Sequence, residues 1–474
     1  MGERTAGVRD ATVLAFEDRT YTRSQLDGLA AGLARTLHHR GVRSGDRVAV
    51  MSSNRPEFVV AIQAIWSLGA SAVLISPAWR GDDVAHALAV ARPGHAVGDN
   101  PVLAEQLPML HLDDPITPTA PMASRPDPDA DAVLVFSSGT TGMPKAVRHT
   151  HRSFGAAVQQ WRGALGMTAR DRMQIVTPPS HILGLLNIAT ALSAGAFMRL
   201  HRRFDLDAML GHIATDRITI EMAVAPIALA IAAHPDLETY DLSSLRYIMW
   251  CATPITPSVA EAVTSRTGVG WISAYGTSEV PVIGCCPLTE ARLDTVGRPV
   301  SGVRVRIVAP DSERPCETGE VGEIQVLSDS ATAGYLPDDA TAAAFDDGWY
   351  RTGDLGYLDG DGWLRITDRL KEMIKVRGFQ VAPAEVEAVL HGHPSVRDCA
   401  AFGVPDAADG EAVVAAVAAS APVDADELVA LVGDRLASYK RPRHVMFVPE
   451  IPRLPSGKAL RRVLKEQYGR TSNE

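Results

Sequence analysis

The chain has 474 residues, 46% hydrophobic and 22% charged, an ordinary globular composition long enough for a large core and more than one domain. Its net charge of −10 argues against wholesale nucleic-acid binding, and the basic clusters at 201–203 and 440–443 read as solvated surface. The five cysteines, Cys251, Cys285, Cys286, Cys316 and Cys399, show no C-x-x-C spacing, so neither a zinc site nor a disulfide framework is indicated, and a reduced cytoplasmic setting is expected.

The first residues carry no apolar signal core. Leu26, Leu29, Leu33 and Leu37 recur at helical spacing and predict an amphipathic helix to His38, capped by Thr22 or Ser24. A strand over 47–51, a helix from Pro56 to Leu68 and a strand over 72–75 follow. This alternation predicts an α/β fold with parallel sheet. The stretch 112–130, rich in proline and aspartate, reads as a surface loop. Residues 182–198 are nearly uncharged but short for a membrane span, and predict a buried helix. Further on, helices are expected near 206–215 and 226–234, and a strand over 245–250. The last hundred residues predict a compact unit: helix 384–391, strands 396–404 and 412–419, helix 425–436.

Three stretches carry chemistry in their residue types. Val133–Phe136 reads as a buried strand, followed by Ser137, Ser138, Gly139, Thr140, Thr141 and Gly142, then Lys145. Glycines allow close backbone approach to a ligand, and hydroxyls, amides and a lysine suit phosphate oxygens, so this is a phosphate-cradling loop. It is not a P-loop NTPase motif, because G-x-x-x-x-G-K-[ST] has no match around Lys145. The strand at 271–275 ends in Tyr275-Gly276 and then presents Thr277, Ser278 and Glu279. An aromatic ring can stack on adenine, a hydroxyl can reach phosphate and a carboxylate can ligate Mg2+. Asp354, at a strand–turn junction, can accept from both ribose hydroxyls. Asp359-Gly360-Asp361-Gly362 lacks the remaining ligand spacing of an EF-hand and reads as a hairpin turn.

SSGTTGMPKAV resembles the phosphate-loop signature of the adenylate-forming superfamily, which includes acyl-CoA synthetases, 4-coumarate–CoA ligases, luciferases and peptide-synthetase adenylation domains. The 271–279 and 349–356 stretches, the segment 367–383 and the terminal string Pro452–Arg462 match further family motifs in the right order. The resemblance implies a large N-terminal adenylation domain of layered α/β subdomains over 1–368, a hinge at 369–371 and a small mobile C-terminal α+β domain over 372–474. It assigns Tyr275, Ser278, Asp354 and Arg369 to the nucleotide, Glu279 to Mg2+, Lys371 to the pivot, Lys375 to Gly378 to the CoA thiol arm, and Lys458 to catalysis. It also assigns His181 to the acid pocket, with Trp250, Cys251 and Ala274 as bulkier departures along its wall. Ala146 stands where glycine is usual.

The implied reaction joins a small carboxylic acid to ATP, giving acyl-AMP and pyrophosphate, and then a thioester with CoA. Trp250, Cys251 and Ala274 favour a short or aromatic acid. Alternatives are transfer to a carrier-protein pantetheine, activation of another oxyanion such as nitrite, an amine acceptor, or a non-catalytic nucleotide-binding relative. The sequence does not specify an oligomeric state.

Overall fold

The computed structural model describes residues 11–471 apart from 121–125, 138–143, 254–255, 311, 313, 371, 378, 407–408 and 454–458. Helix Arg23–His39 starts at Thr22, whose side chain accepts from the Gln25 amide while the Gln25 side chain accepts in return. This reciprocal cap satisfies two orphan amides, and Leu26, Leu33 and Leu37 turn inward. Helix Pro56–Ser67 has proline in its first turn, where no intrahelical donor is needed. Helix Ile182–Ala194 is buried as predicted, but it stops at Gly195, whose φ of +70° suits glycine, and the chain continues as strand Phe197–Leu200.

Among the described residues the large N-terminal part contains two predominantly α/β sheets. One has seven strands in the order Gly334–Leu336, Lys145–Thr150, Asp131–Ser137, Ser71–Leu74, Arg47–Met51, His95–Gly98, Met109–His111. The other has nine, in the order Arg298–Pro299, Gly284–Cys285, Trp271–Tyr275, Tyr247–Trp250, Ile220–Ala223, Arg172–Ile175, Phe197–Leu200, Thr12–Phe16, Arg19–Thr22. Each has a parallel centre built from apolar runs buried on both faces; the nine-stranded sheet is antiparallel at both margins, the seven-stranded sheet at one, its Met109–His111 edge being parallel. Ser137 and Tyr275 stand at the carboxyl ends of parallel strands, where open α/β sheets bind ligands.

A five-stranded antiparallel sheet follows, with Trp349–Leu358 between Gly322–Ser328 and Leu364–Arg369. The Asp359–Gly362 turn is a hairpin: the Asp359 carboxylate accepts from the Asp361 and Trp363 amides at 3.1 and 2.9 Å. The small C-terminal part carries its own five-stranded sheet, on which helices Pro383–His391 and Ala425–Arg435 pack. Its apolar clusters contain only residues from Ile374 onward, whereas those of the large part end at Leu364. No helix among the described residues is long and apolar enough to cross a membrane.

One ionisable group lies deep in the nine-stranded sheet. Glu221 is fully buried and accepts from Gln174 Nε2 at 2.8 Å, and burial pushes its carboxyl up to about 8. Gln174 in turn hydrogen-bonds His201, whose imidazole burial holds down to about 4. Folded Glu221 therefore keeps a proton that the unfolded chain releases above its ordinary 4.5, and this contribution is lost as pH rises to about 8. Below the ordinary histidine value of 6.5, neutral His201 works in the opposite sense. Urea unfolding across the interval from 6.5 to about 8 is expected to show stability falling with pH, a slope that Glu221→Gln removes.

Candidate active site

The stretch expected to cradle phosphate connects two paired strands. Strands Asp131–Ser137 and Lys145–Thr150 pair antiparallel, with Ser137 opposite Lys145. The loop residues Ser138, Gly139, Thr140, Thr141 and Gly142 lie outside the described residues. On its exit side, the Pro144 carbonyl pairs with His86 Nε2 at 2.8 Å, and the Ala146 methyl is buried in the same apolar cluster as Met51 and Leu134. Across the cleft, Ser137 Oγ donates to Glu279 Oε1 at 3.4 Å.

The Tyr275–Glu279 turn is held from both sheets. A Cβ on Gly276 would stand 2.1 Å from the Pro281 carbonyl oxygen, so only glycine lets the chain reverse there. The Ser278 carbonyl lies 2.8 Å from Nε2 of His149, on the phosphate hairpin. A carbonyl only accepts, so Nε2 carries the proton. Burial keeps the ring neutral, with a pKa near 4. The Glu279 carbonyl accepts from the Thr332 amide at 2.7 Å. Its carboxylate, nearly buried, accepts on Oε1 from the Tyr335 hydroxyl at 3.1 Å as well as from Ser137. Burial, and the Glu279 charge beside them, push the phenols of Tyr335 and Tyr350 up, so both remain protonated donors. The Ser278 hydroxyl has no hydrogen-bond partner among the described residues.

Asp354 sits inside strand Trp349–Leu358, directly after Gly353 at φ +70°, rather than at a strand–turn junction. A ladder irregularity between Leu355 and Gly356 accompanies it. Its Oδ2 accepts from the Tyr275 hydroxyl at 2.5 Å and its Oδ1 from Arg369 Nε at 2.7 Å. A carboxylate offers about four lone-pair sites, so both oxygens retain acceptor capacity. Burial and the Asp354 charge raise the Tyr275 phenol. Burial alone would lower the Arg369 pKa, but the Asp354 carboxylate outweighs it and keeps the guanidinium charged.

The wall expected for the acid is corrected at one position. Side chains alternate along Tyr247–Trp250, and Trp250 faces the opposite side of the sheet from Met249. Its indole is fully buried against Trp271, with ring centroids 5.3 Å apart, and Nε1 donates to Thr253 Oγ1. Trp250 is thus a core residue, and the size argument that used it falls away. Cys251 and Ala274 lie in the large cluster that also contains Ile182 and Leu185 of the helix following His181. Burial pushes the Cys251 thiol up to about 12, so it is an inert apolar surface. Ala252, at φ +64°, holds a backbone conformation that favours glycine. Cys285, which sequence reading passed over, stands opposite Ala274 in the ladder, a neighbour that only strand register reveals.

His181 is the N-cap of helix Ile182–Ala194, and its Nδ1 accepts from the Leu183 amide at 3.4 Å. Burial lowers its pKa and favours the neutral ring, whose proton then sits on Nε2 as a donor without a partner among the described residues. On the C-terminal part, Lys375 lies on strand Ile374–Val376 with an exposed side chain. Gly378, Lys371 and Lys458 lie outside the described residues. The two parts meet where Asp368 Oδ2 accepts from the Ala384 amide, at the start of helix Pro383–His391, at 3.1 Å. Burial raises the Asp368 carboxyl to about 6.

The family model for AMP-binding enzymes matches residues 2–336, and that for the AMP-binding enzyme C-terminal domain matches 385–458. The chain is 35% identical to 4-coumarate–CoA ligase 2 of Oryza sativa subsp. japonica over 98% of this chain and 90% of the relative. It is 33% identical to feruloyl-CoA synthase of an Amycolatopsis species, covering 97% and 96% respectively. Among solved structures, the amide bond synthetase of Marinactinospora thermotolerans has a TM-score of 0.90 at 31% identity, with 98% of each chain covered. The o-succinylbenzoate CoA synthetase of Bacillus subtilis, solved with ATP and magnesium ion, has a TM-score of 0.88 at 29% identity, again over 98% of each. With both family models matched and a relative 35% identical over 98% of the chain, the chain belongs to the adenylate-forming family of AMP-binding enzymes.

Proposed function

We propose that this protein is an AMP-forming, ATP-dependent acid–CoA ligase acting on an aromatic carboxylic acid. The observation that carries the reading is the convergence of Ser137, Glu279, Tyr275, Asp354 and Arg369, from three sheets, on one hydrogen-bonded cleft. The relatives' names add 4-coumarate, ferulate and o-succinylbenzoate, all acids with a benzene ring.

A carboxylate is a poor electrophile because its oxygen is a poor leaving group; joining that oxygen to AMP lets it leave. The acid oxygen attacks the α-phosphorus of ATP and pyrophosphate departs, and then a thiol attacks the acyl carbon and AMP departs. Ser137 to Lys145 cradle the outgoing phosphates. Asp354 takes the ribose hydroxyls, Tyr275 stacks on the base and Arg369 steadies the ribose and phosphate. Lys458 brings a cation to the attacking carboxylate, and His181 offers its Nε2 proton as a donor on the acid side. Positioning and charge stabilisation carry the rate.

Glu279 fits a divalent cation: it is a hard carboxylate whose Oε2 accepts no hydrogen bond among the described residues. Mg2+ bound there would neutralise phosphate charge as pyrophosphate leaves. The domain boundary at 369–371, the pivot at Lys371 and the presentation of Lys375 to Gly378 for thioester formation belong to the same reading. An amine in place of the thiol is the second reading, favoured by the likeness to the amide bond synthetase.

AMP release across hydroxycinnamic, benzoic, short aliphatic and long-chain acids, with and without CoA, tests the substrate and acceptor. Aromatic acids are expected to be fastest, with steady turnover only when CoA is present. Long-chain acids leading the panel would refute the substrate class, and turnover with an amine but not CoA would favour the second reading. Lys458→Ala is expected to cut acyl-AMP formation by roughly a hundredfold or more yet spare thioester formation from preformed acyl-AMP. Equal loss in both halves would remove the domain-alternation account.

A further inference from the structure

The segment Thr332–Leu336 lies in none of the stretches that carry the chemistry, yet it touches the cleft at several points. The Thr332 amide donates to the Glu279 carbonyl at 2.7 Å. The Thr332 hydroxyl donates to the Arg148 carbonyl at 2.6 Å, and the Ala333 amide donates to that same carbonyl at 2.9 Å. Strand Gly334–Leu336 then pairs with the phosphate hairpin, Tyr335 opposite Val147 and Leu336 opposite Ala146. At the end of this path the Tyr335 hydroxyl reaches Glu279 Oε1. The segment thus clamps Glu279 by backbone and side chain while being hydrogen-bonded to the strand that carries the phosphate loop.

The geometry of the carboxylate is one-sided. Both neutral donors, Tyr335 and Ser137, converge on Oε1, and Oε2 is left without a hydrogen bond among the described residues. A carboxylate on three rotatable bonds loses rotamer freedom when it binds an ion, and a donor that fixes it beforehand removes part of that cost. Tyr335 is itself held in place: the residue is 8% exposed and its amide donates to Thr341 Oγ1 at 3.0 Å.

We propose that Tyr335 is a positioning residue for the divalent cation of adenylation: by donating to Oε1 of Glu279 it presents Oε2 to the metal accompanying ATP. This rests on the reading of Glu279 as the metal ligand. Tyr335 acts through Glu279 and touches neither acid nor nucleotide. Outer hydrogen bonds of this kind tune metal affinity without changing the ligand.

Mn2+ binding to the full-length protein in the presence of ATP, followed by electron paramagnetic resonance, tests the inference. Tyr335→Phe keeps the ring and its packing and removes one hydroxyl. It is expected to weaken Mn2+ binding by about tenfold, with the apparent Mg2+ requirement in ATP–pyrophosphate exchange raised by the same factor. Glu279→Gln is expected to weaken Mn2+ binding at least as much, and the double variant no further, because the tyrosine has then lost the group it orients. Wild-type Mn2+ binding by Tyr335→Phe, or losses that add in the double variant, overturns the proposal while leaving Glu279 as ligand. Unchanged binding by Glu279→Gln overturns the ligand assignment and the proposal together. If Tyr335→Phe lowers stability, the same cycle run below its unfolding transition preserves the comparison.

Discussion

A nearly buried carboxylate, that of Glu279, is the junction on which the cleft depends. It accepts from Ser137, at the end of the central hairpin strand of the seven-stranded sheet, and from Tyr335, on that sheet's margin. Its own backbone belongs to the turn that leaves the nine-stranded sheet at Tyr275. A charge withdrawn from water must be hydrogen-bonded or neutralised. The two sheets therefore need each other at this point, and the His149 bond to the Ser278 carbonyl fixes their register. The carboxyl ends of two parallel-sheet strands are thereby brought together.

The Asp354 side of the cleft uses the same logic with the charge paired. Asp354 is buried between the Tyr275 hydroxyl and the Arg369 guanidinium. A buried pair is costly to desolvate and adds little stability by itself. What it supplies is orientation: both carboxylate oxygens are held in place by their donors. Arg369 ends the last strand of the large part, and the neighbouring Asp368 carboxylate caps the first helix of the small part. The Asp354 pairing and the contact between the two parts thus sit on adjacent residues.

Much of this was legible in the sequence because local chemistry coincided with tertiary role. The Thr22 cap, the Pro56 helix start, strand 47–51 and the Tyr275-Gly276 reversal each follow from residue types that few other structures need. Reading failed where one residue of register decides the outcome. Trp250 follows an apolar run in which both faces are buried, so composition cannot say which way the indole points, and the alternation sends it to the core beside Trp271. Asp354 was expected at a strand–turn junction, but the strand runs on through Gly353 to Leu358. Strand His444–Phe447 was missed because it is only four residues long and fully buries none of them, and helix Arg461–Thr471 because its apolar content is low. Tyr335 and Cys285 matter only through partners far away in sequence, and no spacing rule announces them.

Adenylation of an acid oxygen is the central claim, and the most direct measurement follows that oxygen. The acid labelled with 18O in both carboxylate positions is turned over with ATP and CoA, and AMP is analysed by mass spectrometry. If the carboxylate attacks the α-phosphorus and thiol attack then releases AMP, each AMP carries one 18O from the acid. Label in inorganic phosphate with release of ADP, or AMP free of label, would contradict the account.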